Sequence, residues 1–124
     1  MGLFSSVVSN YNAGNSIKKA PAPVRENVIS TMYATNPYTQ NRIEIVYVSS
    51  SNVVGASYDP KTLTLMVEFR RYVKGQGAIA GGGPRYEYAG VSPIAWNTFK
   101  STGSKGKWVW AVLRRRGVPY RRIR

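Results

Sequence analysis

Residues 62–72 read Thr-Leu-Thr-Leu-Met-Val-Glu-Phe-Arg-Arg-Tyr. Leu63, Leu65, Val67 and Phe69 alternate with Thr64, Met66, Glu68 and Arg70. A period of two puts the apolar set on one face of an extended chain, the pattern of a half-buried antiparallel strand. Just upstream, Asn52–Tyr58 reads as a second short strand, closed by the turn-forming triplet Asp59-Pro60-Lys61. Downstream, Lys74–Pro84 contains five glycines and is expected to be a flexible hairpin loop. Arg85–Gly90 is then the return strand, with Tyr86 and Tyr88 on a common face.

Helix punctuation follows the strands. Ser92-Pro93 pairs an N-cap serine with proline at the first helical position, and Trp96 and Phe99 fall on one face of the helix so begun. Gly103 is placed to stop it. Ser104 is placed to cap a second helix carrying Trp108, Ala111 and Val112 on one side and Arg114, Arg115 and Arg116 in its last turn. Gly117 and Pro119 end that helix, and Pro119–Arg124 is an extended tail.

Residues 1–49 differ in character. Tyr11–Pro23 has a linker composition, the spacing of Val24, Val28, Ile29 and Met32 predicts one short helix over Arg25–Ala34, and Arg42–Val48 alternates as a strand. The expected organisation is an N-terminal arm over 1–49 and a small α+β domain over 50–124. That domain is expected to be an antiparallel meander of three to four strands packed with two C-terminal helices.

Composition closes most routes to catalysis. The chain of 124 residues has no Cys and no His, which excludes disulfides, thiolate nucleophiles, imidazole bases and zinc fingers. Five carboxylates are few for a hard-cation cage. Glu68 and Glu87 read as cross-strand partners of bases rather than as a catalytic pair. Gly75-Gln76-Gly77 lacks the helix that a phosphate-binding glycine loop requires. No enzyme activity, metal or cofactor is therefore expected. Nothing in the sequence reaches the run of about 18 apolar residues that marks a membrane span, and Met1–Ser9 lacks the basic and apolar regions of a signal peptide. Met1-Gly2-x-x-x-Ser6 fits the short myristoylation pattern.

Charge opens a different route. There are 18 Lys and Arg against 5 Asp and Glu, a net charge of +13. Lys100, Lys105, Lys107, Arg114, Arg115, Arg116, Arg121, Arg122 and Arg124 follow one another with no acid between or after them. Charge of one sign at this density points to an anionic partner, and arginine forks match phosphate oxygens. These nine bases are the candidate nucleic-acid contacts, with Lys105 and Lys107 also at a helix start, where backbone amides favour an anion. Tyr86 and Tyr88 are candidates for stacking on bases, set against the plainer expectation that they pack in the core.

The ordered set of motifs resembles the KTSC domain, a module found at the C-terminus of some lysyl-tRNA synthetases and as a small protein in bacteria and phages. The matching residues are Ser50-Ser51, Gly55, Tyr58-Asp59, the strand Leu63–Phe69, Tyr86-Glu87-Tyr88, Val91-Ser92-Pro93, Ser104-Lys105-Gly106-Lys107-Trp108 and Tyr120-Arg121-Arg122-Ile123. The 73–84 loop is longer than the family's hairpin, and Val109–Leu113 is more apolar than the family's segment. The resemblance implies the α+β fold, and its synthetase context implies RNA binding. The expected function is binding of RNA or DNA through phosphates, in a bacterial cytoplasm or a virion. The alternative is a structural role in a phage or virus particle, with residues 1–49 and the 74–84 loop reaching other subunits.

Overall fold

The computed structural model describes residues 25–124. The linker-like stretch 11–23 and Gly2 lie outside them. The described chain is α+β, with six antiparallel strands where three to four were expected. They are β1 (Val28–Thr35), β2 (Arg42–Val48), β3 (Val53–Asp59), β4 (Thr64–Phe69), β7 (Arg85–Tyr88) and β8 (Tyr120–Arg122), side by side in the order β1-β2-β3-β4-β7-β8. Between β4 and β7, β5 (Arg71–Val73) and β6 (Gly77–Ile79) form a separate two-stranded ribbon. Helix α1 spans Pro93–Ser101, and α2 spans Lys105–Trp108 and runs on into a π-helical stretch, Val109–Arg114.

Four expectations are corrected. The segment expected as a helix over Arg25–Ala34 is strand β1, paired with β2 from Val28↔Val48 to Thr35↔Arg42. Its Val28, Ile29, Thr31 and Tyr33 favour strand, and Asn36 closes the hairpin by accepting from the amides of Tyr38 and Thr39. Leu63 is not in β4 but in the preceding turn, at φ 56°, so the apolar row begins at Leu65. The glycine-rich loop is partly ordered as the β5–β6 ribbon. Beyond it Gly83 lies so close to the chain that a Cβ there would sit 2.0 Å from the Phe69 carbonyl oxygen, which no side chain permits. Finally, the tail residues Tyr120–Arg122 form an edge strand on β7.

Register sorts the two faces. Val46, Ala56 and Val67 lie in one row with Tyr86, and Tyr58, Leu65 and Tyr88 lie in the next, all on the face the helices cover. Against this face α1 and α2 bring Trp96, Phe99, Trp108, Val109 and Leu113. Trp96 stacks between Tyr58 (centroids 5.3 Å apart) and Phe99 (5.7 Å), and Phe99 meets Trp108 edge-on at 5.4 Å. The expected Ser92 cap is present: its hydroxyl accepts from the Ala95 amide at 3.1 Å. On the other face lie Ile45, Ser57, Met66 and Glu87 in one row and Tyr47, Gly55, Glu68 and Arg85 in the next. No helix among the described residues is long and apolar enough to cross a membrane.

Candidate nucleic-acid interface

Every carboxylate in the chain has a partner within it. Asp59 accepts from Asn41 and from the amides of Lys61 and Thr62, closing the β3–β4 turn. Glu26 accepts from the Lys105 amide at 2.7 Å. Glu44 accepts from Trp96 Nε1 at 2.9 Å and Lys100 Nζ at 2.8 Å. Burial acts to raise the Glu44 carboxyl, but these two bonds and the lysine charge outweigh it and hold the group below the ordinary range. Glu68 pairs with Arg85 and Arg124, each at 3.0 Å, and Glu87 with Arg121 at 2.9 Å.

These pairs divide the basic residues by face. Arg85 and Arg121 lie in the same rows as Glu68 and Glu87 on the open face of the sheet, and Arg124 reaches Glu68 there. Arg122 falls in the Tyr86 row, on the helix side. Lys107, Arg114, Arg115, Arg116 and Arg122, all on that side or on the helix itself, pair with no acid among the described residues, and residues 1–24 contain none. Lys107, Arg115, Arg116 and Arg122 are exposed. Arg114 is held in place: its guanidinium donates to Tyr120 Oη at 3.0 Å and lies over the rings of Tyr120 (4.2 Å) and Tyr86 (5.4 Å).

Six expected contacts fall away from this surface. Lys105 is 0% exposed. Its Nζ donates to the carbonyls of Phe99, Lys100 and Thr102 at 3.0, 2.9 and 2.6 Å, so it closes the C-terminus of α1 instead of facing solvent. The anion at the start of α2 is already present as Glu26, on the Lys105 amide. Tyr88 is fully buried, and Tyr86 is packed against the core under Arg114, so neither ring face is free for a base. Burial raises the Tyr88 hydroxyl above the ordinary range, with the Arg114 guanidinium pulling against it. Lys100 is tied to Glu44, and Arg121 and Arg124 to Glu87 and Glu68.

One residue that the charge and tyrosine patterns do not single out stands on the surface. Trp110 is 59% exposed. Of the expected apolar side, Trp108 is buried and Val112 packs against the core, but Ala111 is exposed, and Val109 and Leu113 complete the buried side. Val109 and Leu113 turn inward together, leaving Trp110 and Ala111 outside.

The molecule is thus a small antiparallel sheet with one helix-covered face and a basic surface over the second helix and β8, where Lys107, Arg114, Arg115, Arg116 and Arg122 pair with no acid among the described residues. A sequence model of the KTSC domain matches residues 49–116, more than half of the chain, and the chain belongs to that family. The match starts at the residue before Ser50 and ends before the Tyr120–Ile123 motif. A KTSC domain protein from Yersinia pestis, known from its crystal structure, is similar at 26% identity and a TM-score of 0.49, over 77% of this chain and 100% of that one. No curated protein matches the chain.

Proposed function

We propose that this KTSC domain protein is a non-enzymatic nucleic-acid-binding protein that contacts phosphates through Lys107, Arg114, Arg115, Arg116 and Arg122. The supporting observation is the charge inventory: all five carboxylates are engaged, and these bases have none. Unpaired cations on one surface release condensed counterions when they replace them on phosphates, so binding is strongest at low salt. The test is titration with DNA and with RNA from about 50 to 200 mM salt. Four or five phosphate contacts give log K against log salt a slope of about −3 to −4. A slope near zero, or no binding at the lowest salt, refutes the reading.

A second reading, a subunit of an assembly such as a virus particle, draws on β1. It is an edge strand of eight residues with no charged residue, proline or glycine, and Ile29, Met32 and Tyr33 are exposed on it. Edge strands that stay single are normally guarded by charge, proline or a bulge; the register of β1 shifts only near its start, between Val28 and Ser30, and Ser30–Thr35 pairs in unbroken register. β1 is therefore suited to pairing with a strand of another subunit. On this reading the wild type scatters light as an oligomer, and Met32→Lys, which puts a charge on the edge, scatters as a monomer. A monomeric wild type at high concentration counts against it.

A further inference from the structure

We infer that the basic surface takes unpaired nucleic acid in preference to duplex, with Trp110 as the residue on which a base stacks. This rests on the proposed phosphate-binding role and narrows its ligand.

Trp96 and Trp108 belong to the aromatic core, whereas Trp110 is 59% exposed and has no aromatic or cation partner among the described residues. A large apolar ring left in water forgoes the stabilisation of burial, and no core packing is gained by placing it there. Its neighbours give it a use. Lys107 precedes it by one helical turn. Arg114 and Arg115 follow it by four and five positions, the spacing of one π-helical turn. The Arg115 amide bonds to the Trp110 carbonyl at 2.8 Å, which sets Arg115 on the same side. The exposed stripe Lys107, Trp110, Arg115 therefore reads cation, flat ring, cation, with Arg114 beside it on the tyrosines, and none of these cations pairs with a carboxylate among the described residues.

That order matches a single strand, whose phosphates alternate with bases that present a free face. A duplex buries those faces in its own stack and offers Trp110 nothing. An anionic membrane surface would also attract a tryptophan flanked by bases. Insertion there needs a continuous apolar face, however, and this stripe offers only Trp110 and Ala111 between charged residues.

The test uses the full chain with a twelve-nucleotide single strand (oligo-dT and oligo-U in separate arms) and a hairpin duplex of similar phosphate count, at fixed low salt. The single strand is expected to bind at least tenfold tighter than the duplex and to quench the tryptophan emission at saturation. Trp110→Ala, at an exposed position, should lower single-strand affinity about tenfold or more, abolish most of the quench and leave duplex affinity unchanged. The two arms report whether the sugar matters. Equal affinity for both nucleic acids with no effect of Trp110→Ala overturns the stacking role while the phosphate role stands. Binding of neither overturns both. A blue shift with phosphatidylserine vesicles and no response to oligonucleotides overturns both in favour of a membrane surface.

Discussion

Replacing Lys107, Arg115 and Arg116 together by Gln is expected to lower affinity for a single strand about a hundredfold at 0.1 M salt. It should also flatten the salt dependence by about 2 units of slope. The three side chains are exposed and none pairs with an acid, so the fold should lose little beyond the small dipole term of Arg115 and Arg116 at the helix end. The control is a charge-matched variant on the opposite face, Arg85→Gln, Arg121→Gln and Arg124→Gln. Those three guanidiniums already answer Glu68 and Glu87, and their loss frees carboxylates far from the helix surface. The control should lose a few-fold through the weaker overall field, with an almost unchanged slope. Equal losses in slope from both variants would show that the chain binds by net charge alone and has no preferred face.

How much of this was legible depends on whether the deciding contact is local. The alternation around Val67, the Ser92-Pro93 cap and the Trp96–Phe99 spacing each express a period or a bond within a few residues, and each appears in the structure. The ordered motifs were enough to indicate the KTSC family. β1 was misread because Val28, Ile29 and Met32 fit a helical spacing. Its β-branched composition and the Asn36-Pro37 turn pointed to the hairpin, but only pairing with β2 makes it a strand. The count of strands was short for the same reason: β1 and β8 exist through partners. Trp110 was hidden in an apolar run: all of Val109–Leu113 is apolar, so the residues alone do not say which side faces the sheet, and only packing against the core decides it. Charge misled most at Lys105. A base in a basic run is normally solvated, and only the sharp Thr102–Ser104 connection lets this one fold back onto the helix before it.

Lys105→Met should be the most damaging single substitution among the basic residues. The lysine ammonium is the common partner of the Phe99, Lys100 and Thr102 carbonyls, three groups at the end of α1. Methionine fills the space but donates nothing. Unsatisfied acceptors cost about 1–3 kcal/mol each when buried. Partial hydration of the less buried two, and relief from burying a charge, offset part of that. A net loss of about 3 kcal/mol is expected, read as a fall in Tm of about 10 °C. The pH dependence has a defined sign. Burial pushes the ammonium below the ordinary lysine value of 10.5, with Glu26 opposing and Arg25 reinforcing the shift. The unfolded chain therefore holds this proton more tightly, and the stability advantage of wild type over Lys105→Met grows as pH rises from the folded value towards 10.5. Since the Nζ never reaches solvent, the folded variant should bind nucleic acid with the wild-type salt slope. A slope lowered by about one unit, as loss of a phosphate contact requires, would place Lys105 on the interface. A stability loss below about 1 kcal/mol would remove it from the cap of α1.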